Sequence, residues 1–582
     1  MRAFVGYPFK ANVHAAKLPP LQGGAEGRAE TQRHAVVIVG AGPVGLCAAI
    51  GLAIQGVKSV LVEADSSVCA GSRAICISKR SLEIIERLGA LPGFLAIGLP
   101  WTGGRSFYRQ QEVLHFEMTQ GTQDSHDADL KLPPMINLAQ YSIEQILLER
   151  AEALGDLIDI RWATRVTAVD AQTDGAVLQL RTDQGDYSLR CDWLVAADGG
   201  RSTVRGQLGL ALQGTRYEGR YVIVDISLDT ARPAERLAYF DPPCNPGSTV
   251  LVHKQPHGVW RIDYQLRDGE DPVAAIQPEN VLPRVESLLA MMGEQGAWSP
   301  IWITLYRANA LTLERYWHGR VLFAGDAAHL LPIFGVRGAN SGIDDADNLA
   351  WKLAFVVKGL AQPNLLESYS TERVAAAIEN LEHGKKSTEF MAPPSFAFEI
   401  MRTAVLSLAA QHAEVRALIN PRQTTAITYR DSPLNALPER SAAFAAGPGP
   451  GAVCVDCTVM WRLRDGSLRA GHLTDGLQNT FTALWLSPTR EGVDAIHAWA
   501  AHWTARKLPV QAIWLALEAA NDAAQGVDPT GQLRSLYGAT PNALYLLRPD
   551  GHVLARWRGV GLRQALEEAS AAIEQALQGT NP

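Results

Sequence analysis

The sequence predicts an α/β protein with a Rossmann-like nucleotide-binding domain, an inserted β-sheet domain and a separate C-terminal α/β unit. Three observations support this fold class. A β-branched run at residues 36–39 leads through a glycine-rich turn into an apolar helix at residues 44–55. A β-rich stretch occupies residues 217–306. After the Gly- and Pro-rich segment at residues 445–451, strand and helix patterns begin again.

The composition of the 582 residues is that of a large globular protein, with 47% hydrophobic and 19% charged residues. The net charge of −7 argues against non-specific binding to nucleic acid. Seven cysteines are too few for a disulfide framework and fit a reducing compartment. The first 33 residues lack the apolar core of a signal peptide. We therefore expect a cytoplasmic protein that binds no membrane, no nucleic acid and no metal.

The glycine-rich turn, Gly-Ala-Gly-Pro-Val-Gly at residues 40–45, follows the first strand and opens a helix. Gly40 allows a tight turn, Gly42 allows close approach of a pyrophosphate, and Gly45 allows the helix and strand to pack closely. The helix start offers N–H groups and a positive dipole end to phosphates. Glu63 follows the next predicted strand, Ser59–Val62, where an acid can bind ribose hydroxyls. These features predict a dinucleotide site.

Two later segments place an acid after a predicted strand. Asp198 begins Asp-Gly-Gly-Arg-Ser-Thr-Val-Arg after the strand at residues 193–197. Asp326 lies in Gly-Asp-Ala-Ala-His after the strand at residues 320–324. Open α/β sheets bind ligands at the carboxyl ends of their strands, so both acids are candidate site residues.

With these motifs the sequence resembles the single-component FAD-dependent aromatic hydroxylases, the family of p-hydroxybenzoate and phenol hydroxylases. The three motifs match in order between His34 and about Lys386, and the third continues as Pro-Ile-Phe-Gly-Val-Arg-Gly-Ala-Asn at residues 332–340. The chain departs from the family where Val336 replaces a frequent glycine and Arg337 a frequent glutamine. Because of this departure, the resemblance does not assign the local backbone conformation. Arg337 could bring a cation close to the flavin or the substrate.

The resemblance implies an FAD site formed by Gly40, Gly42, Pro43, Gly45, Glu63, Arg73, Gln140, Asp198, Asp326, Pro332, Gly338, Ala339 and Asn340. In this interpretation Glu63 binds the adenosine ribose and Asp326 holds the ribityl chain. Arg73 and Gln140 contact the cofactor. The motif of Asp198 is associated with both FAD and NAD(P)H in the family.

By the same resemblance, Pro332 lies beside the flavin ring, and residues 338–340 offer N–H groups to its pyrimidine edge. An apolar stripe from Ile343 to Leu360 predicts a long helix beginning near Ser341, whose positive end would stabilise the anionic reduced flavin. Asp344 and Asp345 fit the first turn of such a helix. His329 is expected to position its loop near the pyrophosphate.

The predicted domain ranges follow from these motifs and breaks. Residues 1–33 are an N-terminal extension; residues 34–100, 136–216 and 307–440 form the FAD-binding domain; residues 101–135 and 217–306 form the substrate sheet; residues 441–451 are a linker; and residues 452–582 form the C-terminal domain. This last domain resembles the inactive thioredoxin-like tail of phenol hydroxylases. Its Cys454 and Cys457 precede the first predicted strand rather than a helix, so we expect no redox role.

The predicted substrate strand Val259–Gln265 alternates polar and apolar residues. Its polar set, which includes Arg261 and Asp263, could line the substrate cavity or form a solvated face over an apolar core. The sequence assigns no catalytic residue, and the base that would deprotonate a phenol stays unassigned.

The resemblance implies an FAD-dependent monooxygenase that hydroxylates a phenolic ring with NADPH or NADH and O2, through a flavin C4a-hydroperoxide. The partners would be a small phenol, O2 and a second copy of the chain in a homodimer. No second glycine-rich fingerprint or helix-borne dithiol is found, which disfavours the disulfide-reductase type of flavoprotein. Two alternatives stay open: an FAD epoxidase or reductase acting on a polyketide or isoprenoid, and a non-catalytic flavin-binding scaffold.

Overall fold

The computed structural model describes residues 2–23, 27–71, 74–118, 131–267, 269–419, 423–436, 444, 446–517, 524–539, 542–558 and 561–579. The elements of the first part of the chain are β1 Leu21–Gln22, β2 Ala29–Val39, α1 Pro43–Ile54, β3 Ser59–Val62, β4 Cys76–Ser78, α2 Lys79–Arg87, α3 Leu91–Ile97, β5 Leu99–Trp101, β6 Gly103–Tyr108, β7 Gln111–Glu117, β8 Met135–Asn137, α4 Gln140–Glu152, β9 Ile158–Arg161, β10 Arg165–Ala171, β11 Ala176–Arg181, β12 Tyr187–Ala196 and α5 Thr203–Gln207.

The middle of the chain contributes β13 Gln213–Leu228, β14 Arg236–Phe240, β15 Thr249–Lys254, β16 Val259–Gln265, α6 Pro272–Ala275, α7 Pro278–Met291, β17 Trp298–Thr312, β18 Trp317–His318, β19 Val321–Phe323 and β20 His329–Leu330. The last part contains α8 Gly338–Val357, α9 Leu365–Met391, α10 Phe396–Ala409, β21 Thr458–Arg462, β22 Leu468–His472, β23 Phe481–Ser487, α11 Val493–Ala505, β24 Val510–Ala516, β25 Gly526–Val527, α12 Gln532–Leu536, β26 Ala543–Leu547, β27 Val553–Arg558 and α13 Leu562–Gln578.

The first sheet supplies the framework of the nucleotide-binding region. It has nine strands with the main order β10-β11-β12-β2-β3-β9, and β19 pairs with the carboxyl half of β12. The neighbours β9, β3, β2, β12 and β19 pair in parallel. Their carboxyl ends therefore meet at one edge, which is where an open α/β sheet binds ligands. All three sequence motifs follow strands that end at this edge.

The second sheet has eight strands in the order β20-β17-β13-β16-β15-β14-β6-β7. One of its faces is apolar, since Val224 and Ile262 lie in a buried cluster with Val285 of α7. Strand β13 begins at Gln213 and β17 extends to Thr312, so the described sheet is longer than the β-rich stretch that the sequence indicated. One face of this sheet is thus covered by α7, whereas its opposite face does not pack on that helix.

The third sheet belongs to the C-terminal unit and has the order β22-β21-β25-β24-β23-β26-β27. Strands β23 and β24 are parallel and are connected through α11, whereas β26 and β27 form an antiparallel hairpin. Apolar runs bounded by turn residues form these strands, as the renewed strand and helix patterns after residue 451 predict. The thioredoxin-like assignment of this unit stays a prediction.

A buried group of charges joins the C-terminal unit to the helices behind the first sheet. Arg548 donates to both carboxylate oxygens of Glu372 on α9, at 2.6 and 2.9 Å. Lys352 of α8 donates to the same carboxylate at 2.7 Å, and Trp351 donates to Asp550 at 3.0 Å. The side chains of Arg548, Glu372 and Lys352 are fully buried. The hairpin between β26 and β27 is therefore part of the interior of the molecule.

The N-terminal segment packs on the molecule rather than extending from it. Strand β2 begins at Ala29, several residues before the predicted strand, because Glu30 is buried in an ion pair with Arg161 at 2.7 Å. Phe9 stacks on Tyr141, with ring centroids 4.9 Å apart. No helix in the described ranges combines the length and the apolar character that crossing a bilayer requires.

The first prediction concerns Arg548. We expect Arg548→Met to lower the free energy of unfolding by about 3–5 kcal/mol, because Glu372 loses its bidentate partner while it stays buried. Thermal and urea unfolding of the holoenzyme measure this effect. The control is Arg563→Met, because Arg563 is 93% exposed in its pair with Glu567; its expected change is under about 0.5 kcal/mol. Equal stability of the two variants would contradict the structural role of the buried pair.

Candidate cofactor and substrate site

The glycine-rich turn brings the first two motifs into close approach. Gly40 has φ +103°, a conformation that favours glycine. A Cβ atom at Gly40 would lie 2.4 Å from the carbonyl oxygen of Ala197, the residue before Asp198. A Cβ at Gly45 would lie 1.8 Å from the carbonyl oxygen of Gly40. Both glycines are thus required for the packing that the fingerprint predicts.

The start of α1 provides open space beside unpaired N–H groups. Gly42 is the N-cap residue and Pro43 occupies the first helical position. No atom lies within 4 Å of the place that a Cβ at Gly42 would take. The first N–H groups of a helix have no partner inside the helix, and the positive end of its dipole lies there. This end of α1 can therefore accept a phosphate group.

Glu63 directly follows β3 and is held by backbone groups. Its Oε2 accepts a hydrogen bond from the N–H of Ala41 at 2.7 Å, and its Oε1 accepts one from the N–H of Asp65 at 2.9 Å. Burial raises the pKa of Glu63, although these backbone hydrogen bonds oppose the shift. The carboxylate is thus fixed beside the glycine-rich turn.

The second and third motifs are linked through Arg205. Its guanidinium donates to the carbonyl oxygen of Ala327 at 2.9 Å and to that of Gly200 at 2.6 Å. Asp198 accepts from the N–H of Val204 through Oδ2 at 3.0 Å, whereas its buried Oδ1 has no protein partner among the described residues. Asp326 is exposed in the neighbouring turn. The two acids therefore lie at the same sheet edge.

The turn that carries Asp326 is held from behind by a fully buried carboxylate. Asp345 accepts from the N–H of Gly325 at 2.9 Å, lies 2.7 Å from His329 Nε2, and accepts from Arg373 Nε at 2.6 Å. Burial alone would raise the pKa of Asp345, but Arg373 and His329 outweigh it and lower the pKa to about 2. His329 thus positions the loop through Asp345.

The expectation that Asp344 and Asp345 lie in the first helical turn is wrong. Helix α8 begins at Gly338, three residues before the predicted start, so both acids lie in its second turn. Sequence reasoning missed the role of Asp345 because an acid near a helix start has an ordinary explanation. A signal was present, since the buried polar residues Asp345, Asn348 and Lys352 recur at helical spacing beside the apolar stripe.

The segment between the third motif and α8 has a constrained backbone. Val336 has φ +52°, a left-handed conformation that is rare for a β-branched residue and that explains why a glycine is frequent there in the resembled family. Arg337 is buried and donates to Asn380 of α9 at 3.0 Å, which directs this cation toward α9. Pro332 is buried, and a Cβ at Gly384 would lie 3.2 Å from its ring.

The predicted residues at the start of α8 occupy its first turn. Gly338, Ala339 and Asn340 are its first three residues, so their N–H groups lack partners inside the helix. The side chain of Asn340 has a separate role: it accepts from the N–H of Ser78 at 2.9 Å and donates to the carbonyl oxygen of Cys76 at 3.0 Å. The helix start is thereby fixed to strand β4.

Gln140, at the start of α4, holds the segment before β4. Its Oε1 accepts from the N–H of Ala74 at 3.2 Å, and its Nε2 donates to Glu144 at 2.8 Å. Glu144 in turn accepts from the N–H of Cys69 at 2.7 Å. Arg73 lies outside the described residues. Hydrogen bonds therefore hold the described part of this segment against the side chains of α4.

The polar face of the second sheet is turned toward these loops. Arg261 and Asp263 are 2% and 8% exposed, so of the two alternatives left open for this strand the solvated polar face is excluded. Both lie close enough to Cys76 of β4 for their charges to affect its thiol. The face is buried because it covers the loops of the first sheet, while the apolar face packs on α7. A buried polar face of this kind is typical of a ligand site.

The residues at the sheet edge fit a flavin dinucleotide. The start of α1 would hold the pyrophosphate, Asp198 has a buried oxygen without a partner among the described residues, and Asp326 is exposed at the same edge. A Cβ at Gly338 would meet no atom within 4 Å, so the start of α8 is also open. The fold and the site together define a dinucleotide-binding flavoprotein.

Comparisons with known proteins agree with this class. The family model for the FAD binding domain matches residues 33–383. The 6-methylpretetramide 4-monooxygenase of Streptomyces rimosus is 29% identical over 535 residues, covering 90% of this chain and 91% of that protein. The 3-(3-hydroxy-phenyl)propionate/3-hydroxycinnamic acid hydroxylase of Mycolicibacterium smegmatis is 27% identical over 548 residues, covering 92% of each.

Among solved structures, the flavin-dependent monooxygenase PieE in complex with FAD and substrate has a TM-score of 0.77 to this chain. It is 23% identical, and the match covers 94% of this chain and 100% of that one, which shows a common fold. Because the FAD binding domain match spans more than half of the chain, this protein belongs to the FAD binding domain family. It is an FAD-dependent monooxygenase, and the predicted family and cofactor are confirmed.

Cys454 and Cys457 lie in an environment that disfavours a thiolate. Both side chains are buried, and burial raises the pKa of Cys454 to about 12 and that of Cys457 further. Cys454 Sγ lies 2.9 Å from the hydroxyl of Tyr537. A reactive thiol requires a lowered pKa and access, so these observations support the expectation of no redox role.

The cysteine pair gives the second prediction. We expect the double variant Cys454→Ser, Cys457→Ser to keep turnover within about twofold of the wild type, because neither thiol has the ionisation that redox chemistry needs. Steady-state NAD(P)H oxidation, normalised to bound flavin, measures this. A loss of more than tenfold per bound flavin would restore the redox interpretation.

Asp326 gives the third prediction. We expect Asp326→Ala to lose most of the bound FAD, because the hydrogen bonds that the family resemblance assigns to Asp326 and the ribityl chain would disappear while the fold remains. The flavin-to-protein absorbance ratio after purification and a titration with added FAD measure the loss. The matched control is Asp494→Ala, whose side chain is 94% exposed in the C-terminal unit. Undiminished flavin content in Asp326→Ala would contradict the assignment of Asp326 to the cofactor.

Proposed function

We propose that this enzyme hydroxylates a phenolic ring with NADPH or NADH as reductant and O2 as co-substrate. The single observation that carries the proposal is the buried polar face of the second sheet, which lies near Cys76, a residue that Asn340 at the start of α8 contacts. An aromatic ring with a hydroxyl group fits such a site, since it needs both an apolar enclosure and polar groups for its oxygen. The names of the relatives, a monooxygenase and a hydroxylase of a hydroxyphenyl acid, support the same substrate class.

The chain's own residues bind and orient the reactants in this proposal. Gly42 and the start of α1 bind the pyrophosphate, Glu63 the adenosine ribose and Asp326 the ribityl chain. The start of α8 directs N–H groups and its positive dipole end to the flavin's pyrimidine edge, which favours negative charge there. FAD held by these residues would supply the redox chemistry, namely reduction by NAD(P)H and activation of O2.

Exclusion of water is the second contribution of the protein. Trp101, Met135 and Ile75 form a buried apolar cluster with Cys76, and Val336 packs against it. This cluster lies between the loop before α8 and the polar sheet face. A dry environment strengthens electrostatic interactions with the substrate and protects reactive oxygen species from loss to water.

Several finer assignments belong to the same proposal. We infer the roles of Arg73, Gln140, Asp198 and Pro332 in FAD binding from the family resemblance. We also infer a homodimer, a cytoplasmic location, which the low cysteine content supports, and a thioredoxin-like C-terminal domain with the domain ranges given above. The buried hairpin at Arg548 supports a structural role for that domain.

The fourth prediction tests the proposed function directly. In a panel of phenols, we expect at least one to stimulate NAD(P)H oxidation by the holoenzyme and to yield a product heavier by one oxygen atom, labelled when 18O2 is supplied. Mass spectrometry of the product and the rate of NAD(P)H loss are the measurements. Oxidation of NAD(P)H with oxygenation of a non-phenolic polyketide or isoprenoid would favour an epoxidase, and reduction without oxygenation a reductase. Bound FAD without any substrate-stimulated oxidation would favour a scaffold.

A further inference from the structure

Titratable side chains form a continuous row across four strands of the second sheet. Arg236 of β14 is the register partner of His253 on β15, His253 is the partner of Arg261 on β16, and Arg261 is the partner of Asp225 on β13. Asp263 lies two residues along β16 and therefore on the same face. All five side chains are at most 8% exposed. Arginine and aspartate side chains are rarely so fully buried in an ordinary hydrophobic core.

The row faces the cofactor loops through Cys76. Cys76 lies near this row, because the charges of Arg236, Arg261 and Asp263 reach its thiol and shift its pKa, although burial is the larger cause of the shift. The carbonyl oxygen of Cys76 accepts a hydrogen bond from Asn340 in the first turn of α8 at 3.0 Å. One residue thus separates the polar row from the helix start that we assign to the flavin.

Several polar atoms of this row lack a protein partner among the described residues. They are Arg236 Nη1, His253 Nδ1 and Asp263 Oδ1. Buried polar atoms are nearly always hydrogen-bonded in native proteins, because leaving one unpaired costs the full free energy of removing it from water. Three such atoms on one sheet face, from three neighbouring strands, indicate a site that is completed by a polar ligand.

The charged groups in the row differ in whether their polar atoms already have protein partners. Arg261 donates to both oxygens of Asp225, at 2.9 and 3.2 Å, and the hydroxyl of Tyr7 donates to the same carboxylate at 2.6 Å. This pair is therefore satisfied within the protein. Arg236 and Asp263 are the cation and the acid with atoms left to engage a ligand.

The protonation of these groups suits proton transfer near neutral pH. Burial raises the pKa of Asp263 to about 7, with Asp225 adding to the shift and Arg261 and Arg236 opposing it. Burial lowers the pKa of Arg236 to about 10, so its cation gains from a nearby anion. Burial, Arg236 and Arg261 lower the pKa of His253 to about 3, which keeps its imidazole neutral. The charged and titratable groups around Asp263 are thus Arg236, Arg261, Asp225 and Cys76.

We propose that Asp263 is the base that accepts the phenolic proton and that Arg236 holds the resulting phenolate oxygen. This inference rests on the proposed function. The phenolic O–H bond breaks, the proton moves to Asp263, and the electron pair stays on the phenolate oxygen beside Arg236. A phenolate donates electron density into the ring, which makes the ring carbon a stronger nucleophile toward an electrophilic oxygen. The base that the sequence left unassigned is thereby located on β16.

The decisive experiment compares Asp263→Asn with the wild-type holoenzyme. We expect kcat/KM of the wild type to rise with pH through about 7, because only ionised Asp263 can accept the proton. In Asp263→Asn we expect this rise to disappear and kcat/KM at pH 8 to fall by about 10²–10³-fold, within the range of general-base catalysis. The matched control is Asp229→Asn, an exposed aspartate directly after β13, which should keep the wild-type profile.

A series of phenols of decreasing pKa separates a base from a structural residue. More acidic phenols ionise without help, so the defect of Asp263→Asn should shrink steadily along the series. A defect of equal size for every phenol, or an unchanged acidic limb in Asp263→Asn, would overturn the proposal. Flavin content and thermal unfolding of the variant are measured alongside, so that misfolding is recognised.

Substitution of Arg236 distinguishes a phenolate from a carboxylate on the substrate. The spectroscopic readout is the absorbance of a bound nitrophenol in the oxidised holoenzyme, which reports its ionisation without turnover. We expect Arg236→Met to raise the pKa of the bound nitrophenol by at least one unit and to slow phenols with and without a carboxyl group. An effect confined to carboxyl-bearing phenols would overturn the phenolate role. If the wild type oxygenates no phenol at all, the result contradicts the proposed function itself. It is thus distinct from a result that contradicts only the roles of Asp263 and Arg236.

Discussion

The buried carboxylate of Asp345 is the interaction on which the arrangement of the cofactor edge depends. It combines the N–H of Gly325, the imidazole of His329 and the guanidinium of Arg373, all within 3 Å of one side chain. A fully buried charge is tolerated only where such partners surround it. Because the partners come from the Asp326 loop and from α9, the loop has one stable position relative to α8.

Buried charges on α9 connect Asp345 to the C-terminal unit. Arg373, which binds Asp345, is adjacent in sequence to Glu372, which binds Lys352 and Arg548. A single helical turn of α9 therefore contacts Asp345 of α8, which holds the Asp326 loop, on one side and the β26–β27 hairpin on the other. The two halves of the molecule share one group of buried charges, so their stability is coupled although their sheets are separate.

Local elements and motifs were accessible from the sequence, whereas tertiary pairings were not. Strands β3 and β16 have the predicted bounds, because apolar runs between turn residues define them. The glycine-rich turn was accessible for the same reason, since its geometry follows from residues a few positions apart. The alternation in β16 could not decide which face is buried, because the pattern is identical when another domain covers the polar face. Only the packing against Cys76 resolves this, and the same limit hid the partners of Glu30 and Asp345.

The position of Arg548 near the end of the chain has a consequence for biosynthesis. A ribosome completes the helices α8 and α9 well before it adds the hairpin that carries this arginine. Until translation reaches that hairpin, the nascent polypeptide holds Glu372 and Lys352 without the guanidinium that completes their cluster. A premature stop codon shortly before residue 548 therefore removes an interior cation, and we expect the truncated product to unfold more readily than the full chain.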